Sequence, residues 1–215
     1  MTIRALMVDV DGVVVRRADG RRWDADIEAD LGLGAEDLQR GFFQAHFADV
    51  VHGRAPLRER LSLALAEITP HLTAEEVIDY WFAKDGELDQ GLLADLAALR
   101  AETALRMDLA TVQEHERAAY LWTTLALSER FDAVHYAADL GYAKPDGAFF
   151  AAIVERTGLA PHELLLIDDS PPNVDAARAA GWNAVLWTGE ERLAAVLARF
   201  ELEVKAAISD DGDRP

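Results

Sequence analysis

Apolar residues follow two rhythms along this chain, and the change between them divides it. Ala5 to Val8 and Leu164 to Ile167 are short unbroken apolar runs, the pattern of strands buried on both faces. Between residues 16 and 88 the spacing is helical instead. Leu38, Phe42, Phe43, Ala45, Phe47 and Val50 fall at helical intervals over 35–51. Pro56 opens a second helix carrying Leu57, Leu61, Leu65 and Ile68. Thr73-Ala-Glu-Glu is a capping-box pattern ahead of Val77, Ile78, Trp81 and Phe82. From about residue 89 the chain alternates. Helices are predicted over 92–100, 114–127, 146–157, 171–180 and 190–200, with strands over 104–110, 133–137, 164–167 and 184–187. Gly158 and Gly181 stop two of these helices.

Strands alternating with helices predict an α/β fold: a doubly wound parallel sheet, Rossmann-like, with a helical domain inserted after its first strand. The expected boundaries are 1–15 and 89–208 for the α/β core, 16–88 for the helical insert, and 209–215 for a flexible acidic tail. The Trp and Phe residues of 42–82 are expected in the core of the insert.

Charge narrows the partners. The chain of 215 residues carries 21 basic against 39 acidic residues, a formal charge of −18. No Lys/Arg block offers a face to a phosphate backbone, so nucleic acid is not an expected partner. An anionic substrate would need a metal or a well-placed Lys to offset that charge. There is no cysteine, which excludes disulfides and thiolate chemistry. No run approaches the ~18 apolar residues of a membrane span, and the N-terminus lacks a signal-peptide pattern. A cytoplasmic protein without a membrane partner is expected; oligomeric state is not legible.

Chemistry gathers where the strands end. Asp9 and Asp11 follow the first strand, with Gly12 marking a sharp turn or a close approach. Alternation along an extended backbone points the two acids the same way. Thr111 follows the second strand, Lys144 lies past the third, and Asp168 and Asp169 follow the fourth. In parallel sheets ligands bind at the carboxyl ends of the strands. Carboxylates suit a hard cation such as Mg2+, which keeps waters and takes substrate phosphate oxygens. One carboxylate can attack phosphorus while the acid two residues on protonates the leaving oxygen. A Lys and a hydroxyl can hold the phosphoryl oxygens as charge moves. The six histidines show no His-x-x-x-His spacing, and neither a Walker A sequence nor Gly-x-Gly-x-x-Gly occurs.

Asp9-Val-Asp-Gly-Val13, Thr111, Lys144-Pro145-Asp146 and Leu166-Ile-Asp168-Asp169-Ser-Pro-Pro-Asn173 resemble the four motifs of the haloacid dehalogenase-like (HAD) hydrolase superfamily. The helical insert is similar to its C1 cap, and Asp168 to Gly181 resembles subfamily I. Leu109-Ala-Thr-Val-Gln-Glu-His and Asp139-Leu-Gly-Tyr-Ala-Lys-Pro are most similar to sugar-phosphate phosphatases. The resemblance implies Asp9 as nucleophile and Asp11 as general acid/base. It implies Mg2+ held by Asp9, the Asp11 backbone carbonyl and Asp169, with Asp168 beside it or bridging through water. Thr111 and Lys144 would bind the phosphoryl group. Val112 stands where relatives often have Asn or Gly, leaving its N–H for phosphate; Ala137 and Ala138 stand where Ser is frequent.

The expected activity is Mg2+-dependent hydrolysis of a small phosphorylated metabolite through an aspartyl-phosphate. The alternatives are a phosphosugar mutase, a 2-haloacid dehalogenase, which Asp11 disfavours, and a non-catalytic binding protein. Arg16 or Arg17, close after the first strand, is expected to face the substrate.

Overall fold

The computed structural model describes residues 3–200; the expected tail at 209–215 and the end of the core at 208 lie outside them. Its sheet contains β1 (Ala5–Val8), β2 (Arg106–Thr111), β3 (Ala133–Tyr136), β4 (Leu164–Asp168) and β5 (Asn183–Leu186). Every pairing is parallel, in the order β3-β2-β1-β4-β5. β1 is central because its side chains are fully buried on both faces, as a continuous apolar run requires. Val8 registers with Leu109 on one side and Ile167 on the other. The residues after β1 therefore lie between the ends of β2 and β4. The strand order reverses there, the usual crevice of an open α/β sheet.

The helices are α1 (Ile27–Leu31), α2 (Ala35–Leu38), α3 (Phe47–Val51), α4 (Leu57–Ile68), α5 (Ala74–Lys84) and α6 (Gln90–Glu102), followed by five more. These are α7 (His115–Ala119), α8 (Ala137–Leu140), α9 (Gly147–Thr157), α10 (Pro171–Ala179) and α11 (Leu193–Ala198). One sheet face buries Leu6, Val8, Leu165 and Ile167 under α6 and α11. The other buries Met7, Ala110, Leu164 and Leu166 under Phe149, Phe150 and Ile153 of α9 and Val174 of α10. Local signals set the helix ends. Thr73 and Glu76 close a reciprocal capping box at α5, Asp146 accepts the Ala148 N–H at 2.9 Å, and Gly158 ends α9 in the left-handed region.

Helices α1 to α5 enclose their own apolar cluster, built around Phe42, Leu61, Leu65, Trp81 and Phe82. Trp23 stacks on Trp81 at 5.3 Å between ring centroids. The two crossings between this unit and the sheet run side by side: Arg16 N–H donates to Glu87 at 2.9 Å, and Asp89 N–H to Val14 at 2.9 Å.

Two long helices expected from periodicity are broken. Over 35–51 the helix passes through a π-turn at Gln39–Phe43 and restarts at Phe47. The extra residue lets adjacent Phe42 and Phe43 join one aromatic cluster with Phe47, which a regular helix would split. At Gly41 a Cβ would overlap Ile68 of α4, so the bulky pair sits beside a close helix contact. Over 114–127, α7 likewise gives way to a π-turn at Tyr120–Thr124.

Candidate active site

The strand ends converge around one buried cation. Lys144, with no side-chain exposure, places Nζ 2.9 Å from Asp9 Oδ1, 2.5 Å from Asp168 Oδ2 and 2.8 Å from the Ala110 carbonyl. An ammonium has three donors, and here each has an acceptor. Direct donation to a phosphoryl group, as expected for Lys144, therefore needs one of these acceptors to be exchanged. Desolvation alone would lower the Lys144 pKa, but Asp9 and Asp168 together outweigh it and hold the pKa above the usual lysine value.

Asp9 follows β1 and is nearly buried. Both donors that reach it, Lys144 Nζ and the Val10 N–H at 2.7 Å, fall on Oδ1. Burial pushes its carboxyl up to about 7; Lys144 opposes that shift, and Asp168 and Asp11 add to it. Asp168 is fully buried and saturated. Its oxygens accept from Lys144, the Ser170 N–H at 2.9 Å and Asn173 Nδ2 at 3.0 Å. It anchors the lysine. Asp169 is more exposed, and burial, then Asp168, raise its pKa.

Asp9, Asp168 and Asp169 each offer an oxygen, all within 4.8 Å of one another. Three hard oxygen donors at that spacing fit a divalent cation. Gly12 makes the cradle possible: its φ is 75°, and a Cβ there would overlap the Asp169 carboxylate. Gly12→Ala is therefore expected to cost about 1–2 kcal/mol from the left-handed backbone alone. It should also displace Asp169. Thermal melts with and without Mg2+ check both effects, the second as a reduced metal-induced rise in Tm.

The Asp11 side chain is not among these three. β1 ends at Val8 and the chain turns at Gly12, so strand alternation no longer governs Asp11. Its Oδ2 accepts from Gln113 Nε2 at 2.6 Å, and its Oδ1 lies 3.8 Å from Arg117 Nη2. The side chain is about half exposed, 54%.

Thr111 ends β2 in a buried position, with Oγ1 3.4 Å from Gln113 Nε2, and Val112 follows it. Gln113 and Arg117 escape sequence reasoning. The available signal is spacing: Gln113 lies two residues beyond Thr111, and Arg117 four beyond Gln113 in the first helix after the strand. Arg16 and Arg17 both bond to the protein itself, Arg16 to the segment after β5 and Arg17 to the end of α5. Arg16 reaches the Thr188 carbonyl at 3.4 Å; Arg17 reaches the Lys84 carbonyl at 3.0 Å and Asp19 at 2.7 Å.

A family model described as haloacid dehalogenase-like hydrolase matches residues 3–181. The chain belongs to that family. Among curated proteins, this HAD-like hydrolase is 30% identical over 186 residues to a phosphoglycolate phosphatase of Yersinia pestis, covering 83% of this chain and 78% of the relative. It is 28% identical to a phosphatase of Mycobacterium tuberculosis, over 86% of this chain and 88% of that protein. A HAD-family enzyme from Bacteroides thetaiotaomicron, solved with magnesium and inorganic phosphate, shares the fold with a TM-score of 0.73. Identity there is 19%, over 90% of this chain and 98% of the other. Among the described residues, no helix is long and apolar enough to cross a membrane.

Proposed function

We propose that this HAD-like hydrolase is a Mg2+-dependent phosphomonoesterase acting on a small phosphorylated metabolite, with Asp9 as nucleophile and Asp11 as general acid/base. The observation that carries the reading is the geometry at Asp9. Lys144 and the Val10 N–H hold one oxygen, which orients the carboxylate and leaves its other oxygen to attack. Asp9 attacks phosphorus and the ester oxygen leaves, taking the proton from Asp11. Water then attacks the aspartyl-phosphate, returning its proton to Asp11 and releasing inorganic phosphate. Thr111 and the Val112 N–H, at the end of β2, supply donors to the phosphoryl oxygens, and Lys144 supplies positive charge as the transition state loosens.

Asp9, Asp169 and the Asp11 backbone carbonyl would hold Mg2+, with Asp168 close beside them and its oxygens engaged by Lys144, Ser170 and Asn173. Bound there, the cation neutralises charge between nucleophile and phosphate. The helical unit over 16–88 serves as a cap. Its Gly53 packs so closely on Ala138 of the sheet unit that a Cβ would overlap the Ala138 carbonyl. The phosphoglycolate phosphatase relatives support a compact phosphorylated acid as substrate, and a sugar phosphate remains the other class to try.

The test is a metabolite panel containing 2-phosphoglycolate and hexose 1-phosphates, with Mg2+ and with EDTA, read as released phosphate. Conversion of a hexose 1-phosphate to its isomer without free phosphate would replace hydrolysis by mutase chemistry. Absence of any turnover with Mg2+ would refute the phosphatase reading.

Stability gives a second readout. In the metal-free protein the Asp9 pKa is raised, so its contribution to stability is full below the ordinary value of 3.8 and is lost as pH rises to about 7. Mg2+ binds the ionised form. The rise in Tm on adding Mg2+ is therefore expected to be larger near about pH 8 than near about pH 5.5, where protons compete for the site. A shift of equal size at both pH values contradicts metal binding at Asp9.

A further inference from the structure

Arg117 heads the large side chains that are completely enclosed, with 1% exposure. A guanidinium is buried at this cost only where partners satisfy it. Two of its partners are at the end of cap helix α5. Nη1 donates to the Phe82 carbonyl at 3.4 Å, and Nη2 donates to the Asp85 carbonyl and lies 3.1 Å from Asp85 Oδ2. Its guanidinium also lies over the rings of Phe82 and Tyr120, 5.3 and 5.9 Å from their centroids.

The same nitrogen, Nη2, is 3.8 Å from Asp11 Oδ1, an ion-pair distance and not a hydrogen bond. Gln113, from the same loop-and-helix segment, holds the other Asp11 oxygen at 2.6 Å. One short segment after β2 therefore addresses both oxygens of Asp11. Buried Glu114 fixes that segment, accepting the backbone N–H groups of Glu116 and Arg117. The ordinary explanation is that Arg117 merely fastens cap to sheet. A fastening needs only the α5 contacts, and does not require the same nitrogen to face Asp11.

We propose that Arg117 is a positioning residue for Asp11: it holds the acid and the end of α5 in one arrangement, so that the leaving oxygen receives its proton only with the cap seated. This rests on the reading of Asp11 as general acid. Arg117 touches no reacting atom and acts through Asp11.

Leaving-group dependence separates this from a structural role. p-Nitrophenolate departs without a proton, whereas the alkoxide of glycerol 2-phosphate needs one. Arg117→Ala is expected to lower kcat/KM, which reads only the steps up to departure of the leaving group, about 10- to 100-fold more on glycerol 2-phosphate than on p-nitrophenyl phosphate, the range of a mispositioned general acid. Arg117→Lys keeps the charge but loses the planar fork, and should show a smaller loss with the same bias. Asp11→Asn should show that bias too, and adding Arg117→Ala to it should cost nothing further. Thermal melts check folding, and the Lys variant carries the comparison if the Ala variant does not fold. An equal fall on both esters overturns the inference, as does full additivity with Asp11→Asn. Those results leave the phosphatase reading standing if the wild type is active and Asp9→Asn is not; an inactive wild type strikes that reading itself.

Discussion

Replacing Asp9 with Asn is expected to lower turnover of p-nitrophenyl phosphate by roughly 10^4-fold or more, the scale of losing a nucleophile. An amide oxygen can still accept from Val10 N–H and Lys144, so the local hydrogen bonds survive. It cannot form the acyl phosphate. The substitution also removes one of the two carboxylates that share a single ammonium, and Lys144 stays paired with Asp168. Burial has already raised Asp9 toward its neutral form, so the metal-free variant should melt no lower than wild type at neutral pH. Loss of activity together with an undiminished Tm is the combined signature. Wild-type turnover in the variant would remove Asp9 from the mechanism.

Lys144→Met should have the largest effect on stability. The lysine is entirely enclosed between Asp9 and Asp168, and breaking a buried ion pair from one side costs about 3–5 kcal/mol. At roughly 2–4 °C per kcal/mol for a chain of this size, Tm should fall by about 6–20 °C. Asp168 keeps its Ser170 and Asn173 donors, which places the expected loss toward the lower end. Asp9 is affected more. Without the opposing ammonium its carboxyl pKa rises further above about 7, so less of the proposed nucleophile is ionised at neutral pH. Turnover should therefore fall beyond what the melt explains. Mg2+ should restore part of the lost Tm by replacing the missing charge. A variant that melts like wild type would show that the acids do not depend on Lys144.

Much of this was written locally. Unbroken apolar runs marked β1 and β4, because a strand covered on both faces has no place for a polar side chain. The Thr73 box, the Asp146 cap and Gly158 set helix ends through contacts within a few residues. Asp9, Thr111, Lys144, Asp168 and Asp169 could be singled out because each sits at or just past a strand end, where a parallel sheet places its crevice.

Other features came only from packing. The π-turns at 39–43 and 120–124 carry Phe43 and Tyr120 into aromatic contacts with residues distant in sequence, which periodicity alone does not reveal. The Asp11 side chain came to face Gln113 and Arg117 because β1 had already ended and the chain turns at Gly12. The saturation of Lys144 depended on three acceptors from three separate segments. Arg117 reached Asp85, 32 residues away in sequence, only because the end of α5 packs against α7. Sequence by itself determined which side chains lie near strand ends and roughly where the strands and helices lay, since those follow from backbone dihedrals and neighbours along the chain. Only the tertiary structure decided which charges share a proton donor, which are saturated and which face the cap, because those distances depend on strand order and helix packing.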